Sequence, residues 1–304
     1  VLFSGLYGVV LICSFTSTTT KQLQMKTVTS ISGGKTSAYL ATHYPTDYNV
    51  FSLVRIEDKS AAFPDKKIRQ IVEDKIQKQF IATAEDDTII YTILDLEQHI
   101  GRKIHWVSGD TFDSVIEQKG GYLPNKMQRF CTSEMKLKPI FYWWAETISE
   151  PIKMQIGYRA NEQRRANTML SKCNEDGLLE YKATFEKHSN GNNKWEQIPW
   201  QKPSFPLIDN AVFRDQIENY WTGQTVRFAD YNNCVGCFHR NPLFLRKMWD
   251  KHPAKMDWFE SKETGPKNPN WRSDISYSQI KQHRPQFELD FSDFSDCDSG
   301  YCGM

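Results

Sequence analysis

Lys26-Thr27-Val28-Thr29-Ser30-Ile31-Ser32-Gly33-Gly34-Lys35-Thr36-Ser37-Ala38-Tyr39-Leu40-Ala41-Thr42 passes from a strand-like run to a helical-looking one through two glycines. That placement predicts a phosphate cradle. Two glycines let the backbone curl with positive φ and remove the Cβ atoms that would block an oxyanion. The helix that follows turns free N–H groups and its positive dipole end toward the same point. Ser32, Thr36 and Ser37 add hydroxyl donors and Lys35 a cation. The spacing matches neither the P-loop nor the dinucleotide fingerprint.

Outward from this turn the pattern alternates. Tyr48 to Ile56 reads as a strand; Ile68, Ile71, Val72, Ile76 and Phe80 recur at helical spacing; Thr88 to Leu94 and Lys103 to Val107 read as further strands. Thr111 to Lys119 and Ser133 to Thr147 read as helices, and Ile152 to Gly157 as a fifth strand. The fold class predicted is α/β, a Rossmann-like parallel sheet flanked by helices. Ligands in such sheets sit beyond the carboxyl ends of strands, where Ser32 to Gly34 and Gly157-Tyr158-Arg159 both belong. Residues 167 to 206 break the pattern, with Asn, Gly, Lys and Pro crowding its second half, and read as an excursion or lid. Helical texture returns at Val212 to Trp221, Pro242 to Asp250 and Met256 to Lys262, and the last forty residues read as an irregular C-terminal extension.

The chain has 304 residues, enough for one large domain or two small ones. A formal net charge of +1 excludes a broad nucleic-acid or membrane field, so any such contact needs a local patch. Seven cysteines, an odd number at irregular spacing, point to a reducing compartment and a cytoplasmic protein without disulfides. Val1 to Phe15 is apolar, yet it lacks a basic start and is too short to span a membrane. Residues 1–24 are therefore expected to be a leader outside the core, 25–240 the nucleotide-binding domain, and 241–304 a helical extension with a mobile tail.

Four ordered segments carry a resemblance. Ser32 to Ser37 resembles the S-G-G-x-D/T-S loop of the PP-loop ATP pyrophosphatase and phosphoadenosine-phosphosulfate (PAPS) reductase superfamily. Phe63-Pro64-Asp65 resembles the F-P-E/D-T turn of the reductases. Arg129-Phe130-Cys131-Thr132-Ser133-Glu134-Met135-Lys136-Leu137-Lys138-Pro139 is similar to R-x-C-C-x-x-R-K-x-x-P. Gly157 to Arg165 is similar to G-x-R-x-x-E-S-x-x-R. The resemblance implies that Ser32, Gly33, Gly34, Lys35, Thr36, Ser37, Arg129, Lys136, Gly157, Arg159 and Arg165 hold an adenine nucleotide, arginine being suited to bidentate capture of oxyanions. Glu162 is expected to orient the neighbouring arginines, and Lys138 to lie on a solvated helix face.

Cys234-Val235-Gly236-Cys237 offers two thiols to one metal ion or cluster. In the adenylyl-sulfate branch of the reductases a Cys-Cys pair and a later C-x-x-C hold a four-iron cluster. Cys131, Cys234 and Cys237 stand in matching places, but Thr132 replaces the second cysteine of the pair. A three-cysteine 4Fe-4S site is one expectation, as in some tRNA-thiolating members. In another, Cys173, Cys297 or Cys302 completes the shell. The remaining alternative is a buried, inert Cys131 with Cys234 and Cys237 as a redox or zinc pair, within reach of His239.

The terminal Tyr301-Cys302-Gly303-Met304 resembles in part the E-C-G-I/L-H tail of the reductases. Cys302 is then the nucleophile and a thioredoxin-like protein the reductant. The competing expectation is an ATP-dependent sulfurtransferase or nucleic-acid modifying enzyme, although Thr36 stands where ATP pyrophosphatases usually carry Asp. A third is a nucleotide-binding protein that has lost catalysis.

Overall fold

The computed structural model describes residues 25–283 except 232, 233, 266 and 268. The expected leader at 1–24, Cys297 and the proposed nucleophile Cys302 lie outside the described residues. The opening segment folds as read: β1 (Thr27–Ile31) runs through Ser32-Gly33-Gly34 into α1 (Lys35–His43). β2 (Tyr48–Ser52), β3 (Arg55–Ile56), α2 (Lys66–Ile76), β4 (Ala82–Thr83), α3 (Thr88–Ile100), β5 (Ile104–Val107) and α4 (Phe112–Gln118) follow. Next come a short α5 (Phe130–Thr132), a π-helical turn (Ser133–Leu137), α6 (Lys138–Thr147) and β6 (Ile152–Gln155). A 3-10 turn (Ala160–Glu162) leads into α7 (Gln163–Leu170), β7 (Leu179–Lys187) and β8 (Asn193–Ser204). The chain then forms α8 (Pro206–Asp209), α9 (Arg214–Trp221), α10 (Pro242–Lys251), α11 (Pro253–Lys262) and α12 (Tyr277–Gln282).

Six strands form one sheet in the order β5-β2-β1-β6-β8-β7. Every pairing is parallel except β7 with β8, so the α/β Rossmann-like class holds. Alternation sorts its side chains: Ile31 and Phe51 pack with α1, α2 and α3 on one face, while Val28 and Val50 pack with α6 on the other. A third apolar cluster gathers Val54, Phe112 and Met135 against Leu245, Trp258, Trp271 and Tyr277 of the C-terminal helices. Sequence order departs in both directions from the β1–β6 pair, which makes the crevice beyond these two strands the topological switch point.

Two expectations need correction. Thr88 to Leu94 is the start of helix α3, not a strand. Its β-branched residues favour extended backbone, but Ile89, Ile90, Ile93 and Leu96 bury one stripe at helical spacing against the sheet. The excursion at 167 to 206 is not a lid. After α7 it forms the β7–β8 hairpin, whose second strand pairs with β6 from Ile152↔Gln201 to Gln155↔Ser204 and so extends the main sheet.

Candidate functional site

The glycine turn packs tightly. Gly33 adopts φ 81°, and a Cβ there would lie 2.5 Å from Ile89 Cγ2 of α3. Its missing side chain therefore serves the contact between loop and helix as well as the turn itself. Ser37 Oγ accepts the Ser32 N–H at 3.1 Å and donates to Gly34 O at 3.0 Å, which cross-braces the loop. Thr36 and Ser37 are buried. Lys35 points elsewhere. It pairs with Glu218 of α9, while Trp221 Nε1 donates to Lys35 O at 3.0 Å, so α9 clamps the start of α1.

Gly157 lies beside this loop, since a Cβ there would sit 3.5 Å from Thr36 Cγ2 and 3.6 Å from Ser37 N. The two segments expected at the switch point do meet. Arg159 follows, buried, with its N–H and Nε both donating to Glu162 Oε2 at 2.9 and 3.0 Å. Arg165 pairs with the other oxygen of Glu162 and lies 4.4 Å over the Tyr158 ring. Glu162 is thus the fork that fixes both guanidinium groups, the orienting role expected of it. Lys138 is paired with Glu134 at 3.3 Å on the outer face of its helix.

Cys131, Cys234 and Cys237 line one cavity of about 70 Å³, together with Arg129, Lys136 and Glu85. That volume exceeds several times the roughly 10–15 Å³ that one water requires. Phe112, Phe259 and Trp271 form its apolar wall. Three elements bring the thiols together: Cys131 comes from the turn before the π-helical segment, Cys234 pairs across an isolated antiparallel bridge with Glu85, and Cys237 donates its N–H to Cys234 O at 3.2 Å. Gly236 is required between the last two, because a Cβ there would press to 2.4 Å on the Phe259 ring. Burial, then the neighbouring Cys237, pushes the Cys131 thiol up to about 11. Burial also drives Cys234 upward, and Cys237, Glu85 and Cys131 add to the effect.

Lys136 joins the two halves of the site. It lies in the π-helical turn, a local widening that often marks functional positions. Its Nζ donates to Glu85 Oε1 at 2.9 Å, and its side chain lines both the thiol cavity and a smaller one bounded by Ser30, Ser32 and Ser52. Arg129 lies at the thiol cavity within electrostatic reach of Cys131 and Tyr158. Cys173 does not complete the thiol set, for it packs in the cluster under α6 and β7. His239 lines the cavity but is exposed.

The donor set fits an iron–sulfur cluster. Three thiols surround a cavity with nearby cations to offset their charge as thiolates, and a buried carboxylate oxygen, Glu85 Oε2, has no hydrogen-bond partner. Among the described residues, no three His, Cys, Asp or Glu side chains form a group able to hold a single metal ion. Glu85 was not singled out from the sequence. The one available signal was the run Glu85-Asp86-Asp87 placed directly before an apolar segment.

None of the described helices is long and apolar enough to cross a membrane. No protein-family model matches the chain, and no curated protein matches it either.

Proposed function

We propose that the chain is a PAPS reductase-like enzyme of the PP-loop superfamily, which binds an adenine sulfonucleotide at the β1–β6 switch point beside an iron–sulfur site. The observation that carries this reading is the convergence of four separated segments, Ser32 to Ser37, Cys131 to Lys136, Gly157 to Arg165 and Cys234 to Cys237, with Lys136 lining both cavities. Composition does not require that convergence.

In this reading the loop N–H groups, Ser32, Arg129, Arg159 and Arg165 take the phosphate and sulfate oxygens. Cys131, Cys234 and Cys237 would hold a 4Fe-4S cluster, which would supply an electrostatic influence near the anionic substrate. The thiolate of Cys302 attacks the sulfate sulfur; a sulfur–sulfur bond forms, the bond from sulfur to the phosphate oxygen breaks, and the nucleotide leaves with the electron pair. A thioredoxin-like dithiol then supplies two electrons, releasing sulfite and becoming a disulfide.

Incubating the full chain with PAPS or adenylyl sulfate, without reductant, should leave a sulfonate adduct on Cys302 by peptide mass mapping. Truncation after Gly300 should abolish sulfite release and retain nucleotide binding.

A second reading, an ATP-dependent sulfurtransferase acting on nucleic acid, is favoured by one observation: Thr132, not a fourth thiol, lines the cavity next to Cys131. Pyrophosphate released from ATP on addition of RNA, with no adduct on Cys302, would select it. Zinc in place of iron and sulfide would remove the cluster from both readings.

A further inference from the structure

Glu85 is 1% exposed, and its two oxygens are treated differently. Oε1 accepts from Lys136 Nζ, while Oε2 is buried without a hydrogen-bond partner. A carboxylate buried in this way has lost its water at one oxygen and gained nothing from protein there. Ionised carboxylates are acceptors only, so the missing partner must be a donor or a cation. The side chain lines the cavity that also holds the three thiols.

The backbone holds Glu85 in place. Its N–H donates to Thr83 Oγ1 at 3.1 Å, its carbonyl accepts from Lys255 Nζ at 2.5 Å, and the preceding Ala84 carbonyl accepts from Val235 N at 2.9 Å. Cys234 sits directly across the isolated bridge. Lys255 is itself buried and fixed to Asp87 at 2.7 Å, so this segment has little freedom to turn the carboxylate away. Such support from outside the ligand set is what orients metal ligands.

We infer that Glu85 is the fourth protein ligand of the iron–sulfur group, binding through Oε2 the iron that the three cysteines leave open. The inference rests on the cluster reading proposed above. Four anionic ligands gather beside Lys136, Arg129 and Arg240, the last placed within electrostatic reach of Cys234 and Cys237. A hard oxygen on one iron also makes that iron more readily exchanged than the thiolate-bound three.

The test uses the full chain purified anaerobically as wild type, Glu85→Gln, Glu85→Cys and Cys131→Ser. Iron, acid-labile sulfide and electron paramagnetic resonance are measured before and after mild oxidation. Wild type should carry about four irons and four sulfides per chain. Glu85→Gln, nearly isosteric, should lose about a quarter of its iron on oxidation and develop the signal of a three-iron cluster at an oxidant dose where wild type shows little. Glu85→Cys should resist that loss and shift the spectrum of the reduced cluster.

Glu85→Gln with wild-type iron, spectrum and oxidation resistance, alongside a Cys131→Ser chain that has lost the cluster, would overturn Glu85 ligation and leave the cluster reading standing. Wild type without iron and sulfide would overturn both. If Glu85→Gln does not fold, Glu85→Cys decides: an unshifted spectrum overturns the inference and a shifted one supports it.

Discussion

Gly33 and Gly236 each lack a side chain for the sake of a neighbour, and both neighbours are identifiable. Gly33→Ala must place a Cβ 2.5 Å from Ile89 Cγ2 at φ 81°, so strain and overlap should together destabilise the fold by roughly 2–4 kcal/mol in urea denaturation. Adding Ile89→Ala should recover the part due to overlap and leave the backbone strain. At Gly236 the overlap is with the Phe259 ring at 2.4 Å. Gly236→Ala should therefore move the Cys234–Cys237 loop off that ring and, on the cluster reading proposed above, lower bound iron well below wild type by elemental analysis, while Val235→Ile, one residue earlier, changes it less. The sequence made the first glycine legible as room for an oxyanion, but not as a contact with α3, because Ile89 was read into a strand. Glu85 was illegible for a related reason. Its partners, Lys136 and Cys234, lie far along the chain and no local spacing links them.

The individual elements show where pattern and packing agree. Asp65 of the Phe63-Pro64-Asp65 turn caps α2, accepting from the N–H groups of Lys67 at 2.8 Å and Ile68 at 3.1 Å. Asp65→Ala should cost about 1 kcal/mol by thermal or urea unfolding, and Asp65→Ser should restore most of it. Ahead of α3, burial would raise the Asp86 carboxyl, but hydrogen bonds from His252 and the Thr88 N–H outweigh it and hold the group well below the usual carboxylate range. A depressed folded value means the stabilisation is complete above the unfolded value of about 3.9 and is lost as pH falls below it. Asp86→Asn should thus lower stability at neutral pH and flatten its acid dependence below about pH 4. Helix α3 and the β7–β8 hairpin were the elements misread. In the first, burial of one stripe overrode β-branched propensity; in the second, polar residues on an exposed ribbon and a register irregularity after Ala183 concealed the alternation, with Trp195 outside and Ala183 and Trp200 inside.

Across the whole molecule, the C-terminal helices are part of the interior. Trp271 is buried with ring centroids 5.6 Å from Phe112 and 5.1 Å from Phe259, and Tyr277 donates to Gly236 O at 2.8 Å. A chain ended at residue 240 should lose its cooperative urea transition and enter aggregates on size-exclusion chromatography, because Phe112, Val115 and Met135 would face water. The sequence showed the parallel sheet and the switch point, since strand runs and glycine turns are local signals. It could not show that Phe259 and Trp271 wall the thiol cavity, a matter of packing between distant segments.

The seam between β1 and β6 also bears on time. On one side, β1 meets β2 through residues about 20 apart, as in Val28 with Tyr48; on the other, Thr29 Oγ1 donates to Gln155 Oε1 across 126 residues at 3.3 Å. Closing the longer loop costs more chain entropy before any contact rewards it. Refolding should therefore protect the amides of β1, β2 and β5 from hydrogen exchange before those of β6 and β8, and the nascent chain must emerge past residue 204 before its sheet can be completed. The crevice that gathers the candidate site should therefore close late in the protein's assembly, after the local β1–β2 pairing.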